Sequence, residues 1–395
     1  MNNRFLFLFI LTLFIQPLIA QTNLLSEEDL AEEHVYTNLE KAMKKPSEVF
    51  ILDLSGQGLD KIPRDVGRFR KLQILKLTNN NLGELPREMT RLRNLQELYL
   101  DSNNFNTINF DLSNPMYYSN LEKLYIGYNP LRELPENIKK IESLYHVSLS
   151  GNKSLDLNQA FIPLSAIEEL ISIDLSYLNL DTIPWQVANI QGLKTLNLSG
   201  NPSCAWDTSF KYLAQVATIE SLILKDNKLR SLSEEVAGLV KINELDLSHN
   251  DRLNLRQVLR AIKPLKKMEV LTFSHCDIKE LPGSIQNFGI LKELNISFNK
   301  INVLPDEIQK LEELELLDAS HNELSELPAS IGYLQSLEKL LLSNNPLEYL
   351  PSDIADLQEL TYVELPKESM DKTEKKNVKK YLKDAEIVFI EDDDN

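Results

Sequence analysis

Beginning at Val49, apolar and polar positions repeat as one block, L-x-x-L-x-L-x-x-N-x-L, fourteen times along the chain. The second copy is the cleanest, with Leu72, Leu75, Leu77, Asn80 and Leu82, followed by Leu85 and Pro86. The blocks start at Val49, Leu72, Leu95, Leu121, Leu144, Leu170, Leu193, Ile219, Ile242, Met268, Leu291, Leu314, Leu337 and Leu360, in steps of 23 or 26 residues only. A fixed period of this size predicts a solenoid, in which each unit buries its apolar face against its neighbours. Within a block, the alternation Leu75-Lys76-Leu77 has the period of a strand with one buried face. Successive strands that run the same way need a return segment, so the sheet is expected to be parallel. The third, fifth, seventh and eighth positions are expected to face outward on the concave side of that sheet.

The ninth position is Asn in ten blocks: Asn80, Asn103, Asn129, Asn152, Asn201, Asn227, Asn250, Asn299, Asn322 and Asn345. A buried amide there can satisfy backbone groups of adjacent turns, which leucine cannot. Gln57, Leu178, Cys276 and Glu368 are the exceptions. Eight blocks continue with Pro (63, 86, 135, 184, 282, 305, 328 and 351). Pairs such as Ile308 with Leu311 and Ile331 with Leu334 then have the spacing of a short helical turn, with proline expected at its first position. From Leu95 to Met268 the steps alternate between 26 and 23, and no long block carries the Leu-Pro turn. Longer helix-like returns, such as Leu255 to Ile262, are expected in these blocks and would spread the outer arc.

This block resembles the leucine-rich repeat family, from about Pro46 to Pro366. Its L-P-x-x-I-x-x-L variant resembles bacterial members and the Ras-related intracellular scaffold subfamily. The resemblance implies an α/β solenoid, a horseshoe with a parallel β-sheet on the concave face and short helical turns on the convex face. A helical N-terminal cap and a helix-strand C-terminal cap are expected to close its ends. Fourteen strands at ~4.8 Å give a spine of roughly 65 Å.

Four regions follow: a signal peptide at 1–20, an N-terminal helical cap at 21–46, the repeat domain at 47–366, and a C-terminal cap with an acidic tail at 367–395. Arg4 precedes an apolar run from Phe5 to Ile15 that Gln16 and Pro17 interrupt, and Ala20 offers a small residue for cleavage. This is an export pattern, too short to span a bilayer. Thr37-Asn38-Leu39-Glu40 has capping-box spacing, with Pro46 expected to stop the helix. At the far end Thr373 to Lys383 reads as a helix and Ala385 to Ile390 as a strand.

Cleavage would leave 41 basic against 59 acidic residues, a net charge of −18. Only Cys204 and Cys276 are present. Three strand spacings, roughly 14 Å, separate their turns, and a disulfide needs Cα atoms within about 7 Å. The disulfide-rich caps of animal extracellular members are absent, so the exported chain resembles bacterial relatives. No phosphate-binding glycine loop, G-x-S-x-G, H-E-x-x-H or paired C-x-x-C occurs, so no catalytic, cofactor or metal site is expected.

What remains is surface. Tyr99, Tyr125, Tyr128, His146 and Tyr177 fall on the concave positions of blocks three to six. Amphipathic aromatics dominate interface energetics, which makes this strip the candidate partner site, together with Glu97, Asp101 and Asp174. His249, His275, Phe298 and His321 form a second column at the eighth position. Concave positions hold ten acids, Asp246, Glu293 and Asp318 among them, against five lysines: Lys76, Lys123, Lys225, Lys339 and Lys367. That balance disfavours nucleic acid and suits a basic protein or peptide. The reading is an exported, non-enzymatic protein-binding module, secreted or periplasmic. A cytoplasmic scaffold like the Ras-related repeat proteins and a glycan-binding module are the alternatives.

Overall fold

The structure, a computed structural model, describes residues 24–391 except Pro115. The expected leader and its cleavage point lie outside the described residues, as does the tail at 392–395. Each block contributes one short strand. Among the described residues one sheet of sixteen parallel strands runs in strict chain order. They run from β1 (Val35–Tyr36) through β2 (Ile51–Asp53) and one strand per later block to β15 (Tyr362–Pro366) and β16 (Glu386–Ile390). The two strands beyond the fourteen blocks sit at the ends, where an open solenoid would otherwise expose its last rung. β16 pairs with β15 over five residues, Tyr362↔Glu386 to Pro366↔Ile390.

Leucines at the first, fourth and sixth positions fill the core: Leu72, Leu75 and Leu77 are fully buried, and so are their counterparts along the chain. The eighth position carries the turn. In the first thirteen blocks it is left-handed, at φ between 51° and 70°. Left-handed backbone is disfavoured for residues other than glycine by roughly 1–2 kcal/mol. Ten non-glycine residues accept it here, Tyr128, Tyr177 and His249 among them.

That turn drives the ninth residue inward, and all ten ladder asparagines are buried. Asn250 shows the wiring. Its Nδ2 donates to Leu247 O at 2.7 Å within its own turn and to Leu224 O at 3.1 Å in the turn before. Its Oδ1 accepts from Asn227 N at 3.1 Å and Leu229 N at 2.8 Å. Cys276 keeps half of this pattern, donating from Sγ to Leu247 O at 3.1 Å. Burial pushes its thiol up to about 12, and both cysteines are buried and free.

Several expectations need correction. Where the seventh position is serine in the later blocks it is not outward: Ser199, Ser248, Ser297 and Ser320 are 2–7 % exposed. Their backbone N–H groups donate to the Asx side chain two residues earlier, at 2.8–3.0 Å for Asn197, Asp246, Asn295 and Asp318. This local turn draws the serine under its neighbours. The Leu-Pro prolines sit one position outside their turns. Pro305 and Pro328 are N-caps of the 3-10 turns Asp306–Lys310 and Ala329–Tyr333, and their carbonyls accept from Ile308 and Ile331 at 3.0 Å.

Six α-helices are present among the described residues: α1 (Glu27–Glu32), α2 (Leu39–Ala42), α3 (Leu157–Leu164), α4 (Trp206–Leu213), α5 (Leu255–Ile262) and α6 (Lys372–Tyr381). Three of the four long blocks return through α3, α4 and α5, whereas the one beginning at Leu95 holds no helix among its described residues. Its return, 104–120, is rich in Asn and Ser, and Asp111 and Asn114 accept backbone bonds from Ser113 and Met116. Side chains that compete in this way for backbone donors favour turns over helix. At the front, Asn38 rather than Thr37 caps α2, accepting from Lys41 N at 3.0 Å. The helix ends at Ala42, and Pro46 opens a separate 3-10 turn, Pro46–Glu48.

Candidate functional site

The concave sheet brings the fifth-position tyrosines of neighbouring strands together. Tyr99, at the end of β4 (Glu97–Tyr99), is in register with Tyr125, at the end of β5 (Lys123–Tyr125). Their rings stack with centroids 4.3 Å apart and planes 5° from parallel. His146, opening β6 (His146–Ser148), continues the row at 4.9 Å from Tyr125. On the other side the Lys76 ammonium lies 5.4 Å from the centre of the Tyr99 ring. The result is one lane, Lys76–Tyr99–Tyr125–His146, ending at the Ser172 hydroxyl, 2.8 Å from His146 Nδ1.

Carboxylates pin this lane in place. Tyr99 donates its hydroxyl to Glu97 Oε2 at 2.7 Å. The other Glu97 oxygen accepts from Lys123 Nζ at 2.9 Å, and the same ammonium reaches Glu27 of α1, also at 2.9 Å. Burial, then the Glu97 hydrogen bond, raises the Tyr99 pKa. Burial opposes the Lys123 charge, but bonds to Glu97, Glu27 and Tyr145 outweigh it and raise its pKa. Burial raises the Tyr125 pKa and lowers that of His146, so both are neutral at pH 7.

Tyr128 and Tyr177 form a separate row at the eighth position. Each ring lies flat over the glycine of the next block, Tyr128 on Gly151 and Tyr177 on Gly200. A Cβ at Gly151 would fall 2.5 Å from the Tyr128 ring. One ring face therefore rests on backbone and the other is open, leaving Tyr128 52 % and Tyr177 39 % exposed.

The three acids assigned to the strip are half-buried and already bonded. Asp101 accepts from Gly127 N at 2.7 Å, and burial raises its pKa against that bond. Asp174 accepts from Ser176 N at 2.9 Å and from the Ser148 hydroxyl at 3.2 Å. Glu97 is shared between Tyr99 and Lys123. These carboxylates set the shape of the surface, while the outer faces of Tyr128 and Tyr177 stay open.

Reading single positions missed the N-terminal strap. Leu25 exchanges both backbone groups with the buried Gln73 amide, at 2.9 and 3.1 Å. Gln73 bonds Gln96, which donates to Glu122 at 3.1 Å. Three polar residues at the second position of successive blocks were the available signal. The Tyr-Gly-Tyr-Gly alternation at 128, 151, 177 and 200 was another.

The histidine column is a second ordered feature. His249, His275, Phe298 and His321 stack at 4.3, 4.1 and 3.9 Å. Burial, then neighbouring His249 and Lys225, lowers the His275 pKa. Among the described residues no group of three or more His, Cys, Asp or Glu is placed to hold a metal. None of the described helices is long and apolar enough to cross a membrane.

A parallel solenoid of short strands with a buried asparagine ladder defines a repeat-type scaffold. Leucine-rich repeat family models match residues 47–105, 266–324 and 336–357. A solved leucine-rich repeat protein of Leptospira interrogans is similar at 30% identity and a TM-score of 0.58, over 90% of this chain and 100% of that one. An internalin from Listeria monocytogenes shares the fold at 20% identity and a TM-score of 0.52, over 81% of this chain and 88% of that one. Comparison with curated proteins finds no match. The chain belongs to the leucine-rich repeat family. That repeat is typically a protein-binding module rather than an enzyme.

Proposed function

We propose that this is an exported protein-binding module whose concave face grips a protein or peptide, with no catalytic role. The stacked lane from Lys76 to His146 carries the reading. Tyr99 and Tyr125 are held by ring stacking and the Glu97 bond, so ordering them on binding costs little entropy, and amphipathic rings of this kind anchor interfaces. Tyr128 and Tyr177 would extend the contact toward the rim. Committed carboxylates favour an apolar or aromatic partner centre, with basic groups reaching the half-buried Glu97, Asp101 and Asp174.

Export rests on the leader. Mass spectrometry of the protein from its host should find Gln21 as the first residue, and an intact Met1 would support a cytoplasmic scaffold instead. The binding reading is tested by capturing a partner on the full chain and mapping the contact by hydrogen exchange. Protection centred on 97–128 and 146–177 upholds it. Protection confined to blocks nine to twelve sinks it. The flat Tyr128 and Tyr177 rings also suit stacking against a sugar, and a glycan array with a Tyr128→Ala, Tyr177→Ala control tests that second reading.

A further inference from the structure

The chain carries a net charge of −17, yet residues 61–93 hold nine Lys and Arg against three Asp and Glu. The excess has a pattern. The first two Leu-Pro turns share the sequence P-R-x-x-x-R-x-R, as Pro63-Arg64, Arg68, Arg70 and Pro86-Arg87, Arg91, Arg93, 23 residues apart. Six of the chain's twelve arginines thus occupy equivalent places on adjacent turns. Equivalent places on the other six turns hold no arginine: Pro135 is followed by Glu136, Lys140 and Glu142, and Pro305 by Asp306, Lys310 and Glu312. Repetition of the fold does not require these arginines.

These residues lie on the return path, outside the concave face. Arg64–Arg68 and Arg87–Arg91 are 3-10 turns, and Arg70 and Arg93 stand two residues before the next block. A cleft of about 480 Å³ opens between them, lined by Arg70, Arg87, Glu88, Arg91, Arg93 and Tyr117 over the buried Thr90. Three arginines have loose carboxylate partners: Arg64 with Glu88 at 3.9 Å, Arg68 with Asp65 at 3.9 Å and Arg87 with Asp111 at 3.8 Å. The other three have no carboxylate within ion-pair distance among the described residues. Arg70 instead donates to Arg91 O at 3.2 Å, which fixes its guanidinium beside the cleft. Asn120 holds the Arg93 carbonyl at 2.7 Å.

We propose that this cleft binds a compact, multiply charged phosphate group. Guanidinium forks match phosphate oxygens bidentately, and arginines left without carboxylate partners give up little to do so. The cleft suits a compact anion rather than a long one. Glu88 lines it and Asp111 pairs with Arg87 at its edge, so an extended polyanion would run into carboxylates. The phosphate can come from a lipid headgroup or from a soluble phosphate ester. Because the cleft is separate from the tyrosine lane, loss of one leaves the other testable.

Isothermal titration of the full chain with inorganic pyrophosphate tests the proposal. The triple variant Arg70→Gln, Arg91→Gln, Arg93→Gln should bind at least about tenfold more weakly. Arg256→Gln with Arg260→Gln should bind like the parent, and circular dichroism melting checks that each variant folds. The Arg→Lys triple, which keeps the charge without the fork, should fall between. Arginine-dependent sedimentation with phosphatidylcholine vesicles containing phosphatidic acid, but not with phosphatidylcholine alone, identifies a lipid source. Pyrophosphate binding without vesicle association identifies a soluble one. Equal pyrophosphate affinity in parent and glutamine triple, or binding of dextran sulfate in place of pyrophosphate, overturns the proposal.

Discussion

At the scale of single residues, the left-handed eighth position decides what the ninth must be. Once the chain turns there, the next side chain points into the core among carbonyls and N–H groups of two turns. An amide answers both kinds of group, which is why Asn250 makes bonds of 2.7–3.1 Å on both sides. Asn227→Leu should therefore cost about 1–3 kcal/mol, since it leaves buried backbone groups unpaired. Asp226→Asn beside it keeps a residue that tolerates φ of 55° and should be nearly neutral in urea unfolding. Equal midpoints would place the two side chains wrongly. The glycines of this column act differently. Gly151→Ala meets both a φ of 67° and the Tyr128 ring, and should cost about 1–2 kcal/mol from the backbone alone. Adding Tyr128→Ala should return part of any further loss; full additivity in a double-mutant cycle would show that the ring does not rest there.

Among elements, the strands of the fourteen blocks were legible because each has its own apolar alternation, and their parallel order follows from the return segments, whereas β1, inside the expected helical cap, was not. The convex returns were legible only in part. Leu255 to Ile262 is helical, with Asn254 capping it at Gln257 N, whereas the return after Leu95 has equal length and forms turns. Period alone cannot separate them; side chains such as Asp111 and Asn114, which bond the backbone locally, decide. The seventh position was misread for a similar reason, because simple alternation omits the bond between Asp246 and Ser248 N. Caps also vary among the long returns. α3 has Asp156 as N-cap, α5 has Asn254, and α4 has Ala205 with no side-chain bond. Ala205→Ser should supply the missing acceptor and stabilise the protein by about 0.5–1 kcal/mol. Thermal melts with no gain would mean that the first amides of α4 are already satisfied.

For the whole molecule, repetition turns small local choices into long surfaces. A tyrosine at one fifth position is half-exposed strand packing, but two in register become a stack with Lys76 and His146 at its ends. That the five aromatic side chains of the strip fall on concave positions of blocks three to six was visible in the sequence. Their division into an inner lane and an outer row was not, since that depends on glycines beneath Tyr128 and Tyr177. Nor was the strap, whose Glu27 reaches Lys123 across 96 residues of chain. The central claim is that a partner binds the inner lane. The most direct test is the affinity of the captured partner for Tyr99→Ala with Tyr125→Ala, set against Glu293→Ala with Lys339→Ala, two exposed concave residues in the later blocks. The tyrosine pair should lose roughly 2 kcal/mol or more of binding energy, with little change for the control pair. Undiminished affinity in the tyrosine variant, with loss in the control, would contradict the account and move the site to the C-terminal half.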